Sequence, residues 1–201
     1  MNEPISAWAP ESILTLLKTE TKTFHDAIES RVALKQRLRD VPSYAQLLGR
    51  FFGFHVPLEN TLTRIIGYET VGLALQPRLK SGRLCADLAV LRVEAECLPM
   101  CTKLPEIRHL GDALGSLYVL EGSTLGGQFI RREVEKHLLL TAEHGCSYFS
   151  SYGAGVGRMW KSFQESLVRY ATTPEAATTL VQAACETFQK LNDWFAEERL
   201  P

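Results

Sequence analysis

The stretch Gly111-Asp-Ala-Leu-Gly115-Ser-Leu-Tyr118-Val-Leu-Glu121-Gly122-Ser123-Thr-Leu-Gly126-Gly127-Gln128 decides how the chain is read. Its glycines at 111, 115, 122 and 126 follow helical spacing and share an arc of about 60° on a helical wheel. A glycine inside a helix costs about 0.5–1 kcal/mol relative to alanine, so four of them forgo roughly 2–4 kcal/mol. A bare backbone on that face must therefore serve something. Close helix–helix packing is one use, and it suits Gly111 and Gly115. A flat ligand laid against the backbone at Gly122 and Gly126 is the other, with Gly126-Gly127 permitting a local bend and Tyr118 one turn away at its edge.

Around this stretch the pattern predicts an all-α bundle with no alternating strand signal. Helices are expected from about Glu11 to Val32, from Val41-Pro42-Ser43 (Ser43 as N-cap) through Leu58, and from Arg83 to Cys97. Further helices are expected from Ile107 to Leu140, from Phe149 to Tyr170, and from Pro174 (N-cap Thr173) to Glu197. Pro57 should kink or divide the second. The 201 residues suit one domain spanning 1–201, with Met1–Pro10 read as a flexible N-terminus.

The formal net charge of −1 argues against a general nucleic-acid or membrane-surface binder, and no 18-residue apolar run suggests a transmembrane span. Five scattered cysteines and no readable signal peptide are most simply free thiols in a reducing cytoplasm.

On the first predicted helix, Leu14, Leu17, Thr21, Phe24, His25 and Ile28 form one stripe, with Lys18 at its edge and Lys22 nearby. A histidine on an apolar face is commonly a hydrogen-bonded core residue. Here it also has a cation two turns away, roughly 10 Å along the axis. That pairing suits an imidazole ligand to a haem iron and a lysine that meets a propionate.

Two segments together resemble the haem oxygenase family. Leu17-Lys18-Thr-Glu-Thr21-Lys22-Thr-Phe-His25-Asp-Ala-Ile-Glu29 is similar to the family's proximal helix, and Tyr118 to Gln128 to its glycine-rich distal helix. Phe54-His-Val-Pro-Leu-Glu59 is similar to its second-helix region. The resemblance covers most of the chain and is nearest the bacterial branch, which includes enzymes that supply biliverdin to bacteriophytochromes.

The resemblance implies a haem-type bundle with haem between the two helices. Haem would be both cofactor and substrate, cleaved with O₂ and an external electron donor to biliverdin, CO and ferrous iron. It implies His25 as proximal ligand, with Lys18, Lys22, Thr21, Tyr118 and Gly127 at the haem and Gly122, Ser123 and Gly126 on the oxygen side. Arg158 and Lys161 are the local candidates for further propionate partners. A ferredoxin- or flavodoxin-type reductant and a bacteriophytochrome receiving the product are the implied partners. Ser123 stands where the animal-type pattern carries an aspartate that organises distal water, so proton delivery would have to differ here.

Other readings stay open. A carrier of the same fold would bind haem and leave it intact. An interaction module would use the glycine stripe as a dimer seam. A di-iron protein would need two Glu-x-x-His pairs, and only Glu106-Ile-Arg-His109 fits. His55, His109, His137 and His144 read as structural or exposed, and Trp160 and Trp194 as core. Lys35-Gln-Arg37-Leu-Arg39 reads as a solvated face or a docking patch.

Overall fold

The hydrophobic periodicity resolves into helices joined by turns in a computed structural model that describes residues 8–197. Among these there is no β-strand. The helices are α1 (Ser12–Glu20), α2 (Lys22–Val32), the short α3 (Leu34–Arg37), α4 (Val41–Leu62), α5 (Ser81–Val90), α6 (Leu110–Leu138), α7 (Val156–Tyr170) and α8 (Pro174–Ala196). Most of the expected N-terminal segment, residues 1–7, lies outside the described residues.

The expected first helix is two. The Thr21 hydroxyl donates to the Leu17 carbonyl at 2.7 Å, and such back-bonding bends a helix. The bend is slight, because Thr21 N–H still reaches Leu17 O and His25 N–H still reaches Thr21 O.

In α4 the cap is Asp40, whose carboxylate accepts from Ser43 N–H at 2.7 Å, so the helix begins earlier than a Ser43 cap implies. Pro57 does not divide α4. Proline cannot donate to the carbonyl four residues back, and that carbonyl, on Gly53, accepts instead from Cys101 N–H at 2.8 Å. α5 runs from Ser81 only to Val90, and α7 begins at Val156 because Tyr152 and Gly153 take positive φ. The Thr173 cap of α8 is as expected, accepting from Ala176 N–H.

The main packing is α6 on α8. A Cβ on Gly115 would overlap Leu180 O and lie 2.6 Å from Ala183 Cβ; one on Gly111 would overlap the Tyr170 hydroxyl. The first half of the glycine stripe is therefore a packing seam. Thr187 of α8 donates to Ser116 of α6 at 2.9 Å within it. α2 also lies along α8, and α5 packs on α4.

Candidate functional site

The second half of the stripe behaves differently. A Cβ on Gly126 would meet nothing within 4 Å, and one on Gly122 would reach only Trp160, at 3.9 Å. Leu125 and Phe129 are 44% and 61% exposed, unusual values for large apolar residues. By helical phase they flank the two glycines. Gly127 points elsewhere, since a Cβ there would press on Phe149 O at 3.1 Å. Tyr118 stacks obliquely on Trp160, ring centroids 5.8 Å apart, so Trp160, packed against the core as its sequence reading expects, also stands at the edge of this face.

The Thr21 hydroxyl faces that of Tyr118, which docks the α1–α2 junction on α6. His25 and Gly122 each lie one turn from that contact, roughly 5 Å along their own axes. Thr21 is buried and its proton is given to Leu17 O. His25 is not in a buried stripe: its side chain is 52% exposed, with one edge against Phe188 at 5.9 Å. Its Nδ1 lies 3.7 Å from the Glu29 carboxylate and 4.0 Å from that of Asp26. An Nδ1–H drawn to carboxylate leaves the Nε2 lone pair for a metal.

Lys18, Lys22, Arg158 and Lys161 are all exposed. Lys22 is bonded to Asp26 at 2.6 Å, which raises its pKa. Lys161 lines a groove toward Leu14 of α1 with Gln164, Glu165, Val168 and Arg169, apart from the glycine face.

Behind α6 lies a buried polar system that the sequence reading missed. Glu121 (1% exposed) is paired with Arg78 and, at 3.1 Å, with Lys80, and it accepts from the Tyr152 hydroxyl at 2.7 Å. Burial pulls the Lys80 pKa down, while the Glu121 charge opposes the shift.

The second arm runs through His55. Its Nδ1 is 3.1 Å from Glu59 and its Nε2 is 3.0 Å from the Tyr148 hydroxyl, which also meets that of Ser123. Ser123 donates to Leu120 O at 2.8 Å. Burial alone would raise the Glu59 pKa, but bonds from His55, Ser81 and the Lys80 N–H outweigh it and hold the carboxyl below its ordinary value. Burial pushes the Tyr148 phenol upward. A cavity of about 60 Å³ lies at this junction, lined by Ser123, Gly127, Lys80, Tyr148 and Phe51 among others.

The family model for heme oxygenase matches residues 11–197. The chain belongs to the haem oxygenase family. It is similar to "Heme oxygenase PigA" of Pseudomonas aeruginosa, at 27% identity over 195 residues, covering 92% of this chain and 94% of that one. Its fold is similar to that of the NO- and CO-bound heme oxygenase of Neisseria meningitidis, with a TM-score of 0.76 and 25% identity, covering 94% of this chain and 98% of that one. This haem oxygenase is accordingly an oxidoreductase that degrades haem, with a need for oxygen and a reductant.

The residues present fit a haem. An exposed imidazole with carboxylates near its Nδ1, a bare backbone face and two exposed apolar side chains beside it are what a flat apolar ring with a central metal would use. In the di-iron alternative, the Glu106 and His109 side chains are otherwise engaged, Glu106 with Arg108 and His109 in the α6 capping box. Among the described residues, the group of three or more His, Cys, Asp or Glu side chains close enough to share an ion is His25, Asp26 and Glu29.

Proposed function

We propose that the chain cleaves haem to biliverdin, CO and ferrous iron, holding the iron through His25 Nε2. One observation carries this reading. The face of α6 that is a packing seam at Gly111 and Gly115 is open at Gly122 and Gly126, while His25 is exposed one turn beyond the Thr21–Tyr118 contact.

The haem iron supplies the oxygen chemistry, with electrons from an external carrier of the ferredoxin or flavodoxin type. The protein supplies placement and protons. Glu29 orients the His25 ring and raises its basicity as a ligand. Gly122 and Gly126 let the tetrapyrrole plane approach the α6 backbone, and Leu125 and Phe129 cover its apolar surface. Lys18 and Arg158 meet its carboxylates from the rim.

On the opposite side, Ser123, Tyr148 and His55 form a chain of exchangeable protons that ends on Glu59. Ser123 lacks the carboxylate found in animal-type relatives. The chain behind it gives the distal face a proton path through protein groups, with the adjoining cavity large enough for a few waters.

The test is direct. Haemin added to the protein should give a Soret band that converts to biliverdin absorption under air with a reductant, and His25→Ala should lose both the native band and the turnover. Full biliverdin production by that variant would overturn the ligand assignment. A stable haem complex that never converts would show a carrier instead.

A further inference from the structure

Both hydrogen-bond partners of His55 are held by one helix, α5. Glu59, at the Nδ1 side, accepts the backbone N–H groups of Lys80 (2.7 Å) and Ser81 (3.1 Å), the first turn of α5. Tyr148, at the Nε2 side, sits in an irregular segment that has no helix or strand of its own. There the two carboxylate oxygens of Asp87 accept from consecutive amides, Ser147 N–H and Tyr148 N–H, each at 2.8 Å. The Ser147 hydroxyl adds a bond to Arg83 O, one turn back on the same face of α5.

Asp87 is buried, and its carboxylate accepts these two bonds. A buried carboxylate is costly unless paired. An amide of the same shape offers one acceptor oxygen and would leave one of the two N–H groups unmatched. The placement therefore requires two acceptors in one plane against adjacent amides, which fixes the backbone direction from which the Tyr148 ring departs.

We infer that Asp87 is a positioning residue for haem breakdown, holding Tyr148 on His55 Nε2 from the far side of the site. This rests on the proposed role of the Ser123–Tyr148–His55 chain. Asp87 itself touches neither His55 nor the glycine face; it acts through the backbone of Tyr148.

The experiment compares Asp87→Asn with Tyr148→Phe, each in full-length protein. Nitrogen-15 spectra of the histidine rings, taken without haem, report the bond at His55 Nε2. Haem affinity and the rate of haem breakdown are measured separately. Both variants are expected to move the His55 Nε2 resonance in the same direction and to slow breakdown by about tenfold or more. Haem affinity should stay within about twofold.

If Tyr148→Phe changes the resonance and the rate while Asp87→Asn changes neither, Asp87 is structural and the inference falls. If Tyr148→Phe leaves the rate unchanged, the proton-chain reading itself fails, and this inference with it. Should Asp87→Asn not fold, amide exchange in the unaltered protein decides. Ser147 and Tyr148 N–H should then be protected like the core of α5, and exchange at loop rates would overturn the inference.

Discussion

Trp160 stands 3.9 Å from the place a Cβ would occupy on Gly122, whereas Gly115, two turns earlier on the same stripe, has Leu180 O and Ala183 directly against it. One arc of one helix thus serves two purposes. Along its first half the missing side chains let α8 approach. Along its second half they leave space.

A glycine-to-alanine series separates the two. Gly126→Ala should fold and gain about 0.5–1 kcal/mol in urea unfolding of the haem-free protein, because alanine is the better helix former and has room. Gly115→Ala should lose about 1–3 kcal/mol from forced overlap. Gly126→Leu should fold yet fail to bind haem normally in a spectrophotometric titration. Normal binding by that variant would remove the ligand from this face.

Glu29→Gln should weaken haem binding less than His25→Ala does, since the imidazole remains and only its orienting partner changes. The measurable effect is a change in the iron–histidine stretch by resonance Raman, with haem affinity down by about tenfold or more. An unchanged stretch would mean that the 3.7 Å approach is incidental.

Glu121→Ala would leave Arg78 and Lys80 as buried cations without their shared carboxylate. Breaking a buried pair by removing one partner costs about 3–5 kcal/mol. The expected result is a large fall in thermal midpoint, followed by circular dichroism. A fall no larger than that of an exposed pair, such as Lys103–Glu197 on removal of Glu197, would contradict the assignment of this cluster to the core.

Acid stability should depend on Glu59. Its folded carboxyl titrates below the ordinary value of 4.5, so the folded form binds fewer protons than the unfolded form as pH drops through that region. The contribution is present above pH 4.5 and is lost as pH falls through the folded value. Urea midpoints measured between about pH 6 and pH 3 should fall less steeply in Glu59→Gln than in the unaltered protein. Parallel curves would place the acid sensitivity elsewhere.

The helices were legible because apolar residues recur at helical spacing and the punctuation is local: Thr173-Pro174 at the start of α8 is readable from its immediate neighbours. α4 starts at Val41, as the Val41-Pro42-Ser43 stretch suggests, but its cap is Asp40 rather than Ser43: both are good caps, and only the chain's approach selects between them. Pro57 reads as a kink or a division of α4; it does not divide the helix, and the carbonyl it orphans is satisfied by Cys101, 48 residues from Gly53, which no local rule supplies.

The glycine arc and His25 stood out in the sequence since each breaks a local expectation, four helix-interior glycines in one case and a histidine among apolar neighbours in the other. The Arg78–Lys80–Glu121–Tyr152 cluster and the His55–Glu59–Tyr148 chain did not stand out. Their members are ordinary polar residues separated by up to 93 positions, as His55 and Tyr148 are, and each becomes unusual only once buried.

The sequence by itself determined that this is a helical chain with a haem oxygenase pattern, because periodicity, caps and glycine spacing act over one or two turns. Tertiary structure alone decided which glycines are seams and which are open. It also decided that His25 is exposed with its Nδ1 toward Glu29, and that a buried histidine and tyrosine stand behind Ser123. Those outcomes depend on what approaches each residue from elsewhere in the chain, and burial sets both the cost of a polar group and the strength of its bonds.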